Sequence, residues 1–302
     1  MINSENIKDG TNYCVGAASG YAAYRYLPKL AKKPMRAYLK TSIGSVSNAE
    51  NNLYYERAID AYENSFLSKS NNNKKLVEIK HVDNSNAREI ANEIKDRWLN
   101  PKKNDILHKK WFKRIFGDKC KQVDKHVKIT SMGQNAFCVP RLKDKSSLVV
   151  VNKDKMGFST FHELGHAMNA QCSGYKNFLS KVRGPISLFV PLTLFTGLLT
   201  NRPKDNDSNS GKFVNFVKNN CGLIAAGCML PTLAEEGVAS INGAKLAKDV
   251  LNNKMYKNLN KLNTKAWCSY LFATVLIGGA VQIAVNLRDK IVANKPIQKI
   301  FN

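Results

Sequence analysis

The chain has 302 residues, enough for one large domain or two small ones with a sizeable buried core. Hydrophobic residues make up 43% and charged residues 23%, which excludes a disordered tail, a collagen and a coiled coil. Forty-seven Lys and Arg against 23 Asp and Glu leave a net charge of +24, an excess that points to nucleic acid or an acidic lipid surface.

Six segments follow from composition: 1–27, 28–124, 125–183, 184–234, 235–265 and 266–302. Met1 to Gly10 carries Glu5, Lys8 and Asp9 and does not read as a signal peptide. Thr11 to Tyr24 is short and mildly apolar, and serves equally as a membrane span or as an amphipathic surface helix. Residues 28–124 are a basic helical region. Asn71 to Lys75 reads as a solvated linker, and Asn84 to Asn100 as an amphipathic helix with Ile90, Ile94 and Trp98 four apart. Three strand-like pieces follow, at His126–Thr130, Ala136–Val139 and Ser147–Val151, leading to a helix that begins near Ser159 or Thr160.

The last third differs. Gly184 to Asn201 and Ala266 to Leu287 are uncharged, and Phe213 to Ala234 is interrupted only by Lys218. A bilayer core needs about 20 mainly apolar helical residues, so Ala266 to Leu287 qualifies outright and the other two are borderline. Pro185, Pro191 and Pro231 kink or delimit those two, and the polar turn at 201–211 predicts that they form a helical hairpin. Buried core helices are the alternative. The seven cysteines are odd in number and contain no C-x-x-C, which fits reduced thiols rather than a disulfide framework or a zinc ribbon.

His162-Glu163-Leu164-Gly165-His166 is an H-E-x-x-H. On a helix, positions i and i+4 share a face, so both imidazoles reach one metal ion. Glu163 is then placed to act as general base on the water that the metal activates, later returning the proton to the leaving amine. Chance produces this pattern roughly 0.003 times in a chain with so few His and Glu. A third ligand is needed. Of the five histidines, His81, His108 and His126 all lie upstream, and Cys172 stands where a third His would follow in H-E-x-x-H-x-x-G-x-x-H. The downstream candidates are Glu235 and Glu236, a carboxylate pair closing an apolar run, where a cation such as zinc meets the need for counter-charge. Capping of that run at a membrane surface is the other reading of the pair.

These residues resemble the membrane zinc metallopeptidases that include the CAAX prenyl protease and the bacterial heat-shock protease HtpX. Asn135-Ala-Phe137 before a strand matches the family's N-A-F segment, and His162 to His166 its H-E-L-G-H. The runs at 184–201 and 213–234 stand where the family has a transmembrane hairpin. Glu236-Gly-Val-Ala239 matches the start of E-x-x-A-D, with Ser240 in place of the Asp. The likeness covers roughly residues 125–245. It implies an α+β, mainly α chain: a zincin-like domain with a small sheet and an active-site helix, plus about three or four transmembrane or membrane-inserted helices. It further implies Zn²⁺ on His162, His166 and Glu236, Glu163 as the catalytic base, and Glu235, Ser240 and Asn135 as neighbours supporting the site. The expected function is an integral-membrane zinc endopeptidase acting on peptide or membrane-protein substrates, its site at the cytosolic face. The positive-inside rule agrees for residues 28–183, which hold 31 basic and 15 acidic side chains, and is mildly violated by Arg288, Lys290, Lys295 and Lys299.

Two other classes compete. Residues 74–145 hold 19 basic and 9 acidic side chains with Trp98, Trp111, Phe112 and Phe116 interleaved, a pattern suited to nucleic acid or to anionic lipid. Given the apolar runs, lipid is the more economical partner. A scaffold with a degenerate zinc site is the third, motivated by Ser240 alone.

Overall fold

The computed structural model describes residues 12–27, 44–68, 70–71, 74–99, 118–142, 144–203 and 208–294. The basic stretches around residues 31–36 and 109–116, His108 and the tail beyond 294 lie outside these. Among the described residues the chain is mainly helical, with a three-stranded sheet and a two-stranded ladder, and it packs as two units. One comprises residues 40–181 and 235–267, the other 1–39, 182–234 and 268–302.

In the first unit, α2 (Asn48–Glu63) opens on a reciprocal cap: the Glu50 amide donates to Ser47 Oγ and the Ser47 amide to the Glu50 carboxylate. Two residue pairs, β1 (Ser70–Asn71) and β2 (Lys74–Lys75), form a short antiparallel ladder where a linker was expected. The main sheet has the order β3-β5-β4. β3 (Val77–His81) runs parallel to β5 (Ser147–Val151), and β4 (Phe137–Val139) antiparallel to it. β5 is buried at every position, as the central strand of a sheet covered on both faces must be.

Two sequence expectations are corrected here. His126–Thr130 is not a strand but the end of α4 (Lys119–Ser131), capped by the Asp118 carboxylate. Val123, Val127 and Thr130 are buried along one helical face, so the local alternation belonged to a longer 3.6-residue period. The helix expected over 84–100 runs as α3 (Ala87–Ile94), burying Ile90 and Ile94, and continues as a π turn over Lys95–Leu99. The wider turn rotates Trp98 out of the buried stripe. Arg97 instead makes a bidentate pair with Glu78 at 2.7 and 3.0 Å and reaches Glu93 and Asp144.

The short helix α5 (Lys153–Met156) and then α6 (Ser159–Gln171) follow β5 directly. A core of Tyr54, Ala58, Tyr62, Val149, Val151, Phe161, Leu164 and Ala167 locks one face of α6 against α2 and the sheet.

The second unit contains α1 (12–27), α8 (Phe189–Leu199) and long stretches of α9 (Asn209–Lys248) and α10 (Asn253–Asn294). Before α8 runs α7 (Tyr175–Ser187). The break between them falls where Pro191, in the first turn of α8, has no N–H to bond residue 187. Among the described residues, three stretches are long and apolar enough to cross a membrane: Tyr175–Leu199, Asn209–Lys248 and Asn253–Ala293. Val190, Leu194 and Leu198 pack against Cys221, Ala225, Val281 and Val285, while Phe189, Leu192, Phe195, Phe213, Phe216, Leu223 and Val275 face outward. Contiguous outward aromatic and aliphatic surface of this kind suits lipid rather than water.

α1 is integral to this bundle. Asn12, Gly16 and Gly20 form its buried stripe, and a Cβ on Gly20 would run into the Ala284 carbonyl and the Leu198 side chain. Gly-Ala-Ala-Ser-Gly is thus a small-residue seam that brings two backbones together. All seven cysteines are free thiols.

Candidate metal centre

Two helix faces build the site. On α6, His162, Gly165, His166 and Asn169 share one side, opposite the apolar face that anchors the helix. On α9, Glu236, Ala239, Ser240 and Gly243 do the same, with Glu235 and Asn242 adjacent. A Cβ on Gly165 would strike the Ala239 carbonyl, and one on Gly243 would strike that of Phe161. The glycine in H-E-L-G-H is therefore required by the close crossing of the two helices.

At the crossing, His162 Nε2, His166 Nε2 and Glu236 Oε2 converge. The two imidazole nitrogens are 3.0 Å apart, and Glu236 Oε2 lies 3.2 Å from His162 Nε2 and 3.5 Å from His166 Nε2. A tetrahedral ion bound at about 2.0–2.1 Å requires ligand atoms about 3.3–3.4 Å apart. The three donors meet that spacing and could hold a metal ion.

The outward nitrogens settle which ring atoms face inward. His166 Nδ1 donates to Glu235 Oε1 at 2.8 Å, and Ser240 Oγ lies 3.1 Å from His162 Nδ1. An ionised carboxylate only accepts, so His166 carries a proton on Nδ1, and Nε2 is the ring atom left to exchange its own proton for a metal. With Ser240 accepting from His162 Nδ1, the atoms turned to one spot are His162 Nε2, His166 Nε2 and Glu236 Oε2, the three a bound cation would meet.

Charge leads to the same conclusion. Glu235 is 1% and Glu236 7% exposed, so two carboxylates are buried against two imidazoles, and Glu163, next to His162 in sequence, is buried too at 7%. Burial alone would pull the His166 imidazole down, but the Glu235 and Glu236 carboxylates override it and hold its pKa up at about 10 without metal.

Behind Glu235 runs a polar chain that sequence reasoning missed. Asn169 Nδ2 donates to Glu235 Oε1 at 3.2 Å, Asn242 Nδ2 to Asn169 Oδ1 at 2.7 Å, and Lys176 Nζ to Asn242 Oδ1 at 3.2 Å. The signal was available: Asn169 lies three residues after His166 and Asn242 seven after Glu235, both on the inner faces.

Of the residues singled out in the sequence, His162, His166, Glu235, Glu236 and Ser240 come together, with Glu163 beside His162 on α6. Asn135 is exposed in the turn before β4. His81 accepts from the Lys153 amide at 3.2 Å, His126 lies tilted against the Phe137 ring, and Cys172 ends α6. Compared with models of known protein families, with curated proteins and with solved structures, the chain gives no match.

Proposed function

We propose that the chain is a membrane-inserted zinc endopeptidase. The convergence of His162 Nε2, His166 Nε2 and Glu236 Oε2, with Glu163 next in sequence to the first ligand, carries the proposal. Two imidazoles and one carboxylate form a donor set suited to Zn²⁺ with one position left open. Zn²⁺ bound there supplies a Lewis acid for a peptide carbonyl and for water. Glu163 takes the proton from the attacking water and delivers it to the departing amide nitrogen. Glu235 and Ser240 hold the imidazoles in the tautomer that presents Nε2.

The zincin-like assignment draws support from the order of elements. A central buried strand leads through the short α5 into the H-E-x-x-H helix, and β4 is an edge strand that opens at Phe137, just after Asn135-Ala136. The HtpX and CAAX protease resemblance adds to this through the same segments. The Ser240 contact keeps a partner on His162, which weighs against a degenerate scaffold. Residues 28–183, most of them in the site-bearing unit, carry the larger basic excess, and the positive-inside rule then keeps that unit cytosolic.

Cleavage of a peptide library by detergent-purified protein tests the proposal. Glu163→Gln abolishes cleavage while leaving metal content unchanged; undiminished cleavage by that variant rejects Glu163 as the base.

A further inference from the structure

The helical unit contains a second polar cluster, far from the metal centre in sequence. Lys218, alone within the apolar run of α9, is 0% exposed, and Arg288 near the end of α10 is 1% exposed. Both donate to Asp289 Oδ1, at 2.6 and 2.9 Å, while Arg202 Nε donates to Asp289 Oδ2 at 2.7 Å. Three cations thus share one carboxylate among the described residues. The chain around them does not restore the balance. In the sequence, residues 200–218 and 284–290 carry Arg202, Lys204, Lys212, Lys218, Arg288 and Lys290 against Asp205, Asp207 and Asp289.

The cluster also has unspent donor capacity. Arg288 Nη2 reaches Asn201 Oδ1 at 2.5 Å and its guanidinium lies 4.8 Å from the Tyr13 ring centroid, yet buried Nε has no hydrogen-bond partner. Burying excess positive charge among apolar helices is strongly unfavourable unless an anion answers it. Arg202 provides the way in. Its side chain is 38% exposed, and Nη1 is anchored to Asn219 at 2.7 Å.

We propose that Arg202, Lys218 and Arg288 form a binding site for a phosphate oxyanion, the phosphodiester of an anionic lipid headgroup. The cluster lies where apolar helix gives way to polar chain: Leu199 precedes Thr200-Asn201-Arg202, and Leu287 precedes Arg288. That transition is the depth of lipid headgroups. Guanidinium groups make short, charge-assisted bonds to phosphate oxygens, and outward Leu199, Phe213 and Phe216 offer apolar surface to acyl chains. A zwitterionic headgroup brings a quaternary ammonium against the same cations and is disfavoured. The proposal rests on the membrane-inserted reading of these helices but not on the metal chemistry, so Glu163→Gln leaves it untouched.

Native mass spectrometry of the full chain in detergent, titrated with phosphatidylglycerol and with phosphatidylcholine, tests it. The expected result is preferential retention of phosphatidylglycerol, falling about fivefold in Arg202→Gln, a half-exposed position that does not threaten folding. Arg288→Gln, checked for folding by its melting curve, lowers it similarly. A preference that persists in excess inorganic phosphate supports the lipid source. Its erasure by inorganic phosphate, with the phosphate stabilising wild type but not Arg202→Gln, overturns the lipid source and assigns the cations to free phosphate. Equal retention of the two lipids, or a preference unchanged in Arg202→Gln, overturns the site itself.

Discussion

Glu235 discriminates a metal centre from an accidental cluster, because on the metal reading it would touch no metal and yet hold one ligand, His166. Glu235→Gln preserves an acceptor oxygen opposite His166 Nδ1, now 2.8 Å away, and removes only the charge. Hydrogen bonds to charged partners contribute about 1.5–3 kcal/mol against about 0.5–1.5 for neutral ones, a difference of about 1–1.5 kcal/mol. Metal affinity is therefore expected to fall roughly tenfold, the lower end of the 10–100-fold range for groups that orient a ligating His. Glu235→Ala is more severe, since it also strips the acceptor from Asn169 Nδ2, a buried donor. Its loss approaches about 100-fold, with about 1–3 kcal/mol of stability lost as well. Competition against a chelator of known affinity, on detergent-purified protein at neutral pH, reads both values. Wild-type affinity in both variants would refute the view that Glu235 holds His166 for a metal.

The other expectations are quickly stated. Ser240→Ala removes one neutral contact to His162 and weakens metal binding about two- to tenfold by the same competition assay, less than Glu235→Ala does. Gly165→Ala drives a methyl into the Ala239 carbonyl and costs about 1–3 kcal/mol in denaturant unfolding, with metal lost as the helices separate. The His166 imidazole, held up at about 10 in the metal-free fold against about 6.5 unfolded, contributes stability that is complete below about pH 6.5 and lost as pH rises toward 10. Metal-free protein should accordingly melt lower at pH 10 than at pH 7, and Glu235→Gln should narrow the gap; a flat or rising profile contradicts the assignment.

The His-His-Glu cluster was legible because its geometry is encoded in spacing. His162 and His166 need only a helix to share a face, and Glu235–Glu236 is the conspicuous carboxylate pair downstream. What spacing could not convey was the helix crossing. Only the approach of Gly165 to Ala239 divides the pair into Glu236 facing the imidazole Nε2 atoms and Glu235 facing Nδ1. Strands were read less well. The continuous apolar run of β5 stood out, but β3 was overlooked because Val-Glu-Ile-Lys-His carries charges that its partners outside the core accept, notably Arg97 on Glu78. His126–Thr130 was misread because five residues alternate equally well as strand and as helix end. Among the apolar segments, α1 was the ambiguous one. Hydropathy cannot register Gly16 and Gly20, whose contribution is the absence of a side chain.

The most direct test of the central claim is metal content by mass spectrometry, on wild type beside His162→Ala and Glu236→Ala, prepared with metal present and without chelators. About one zinc per wild-type chain, largely lost in both variants, is the expected result. Zinc-free wild-type protein, or full zinc retention by Glu236→Ala, would contradict it.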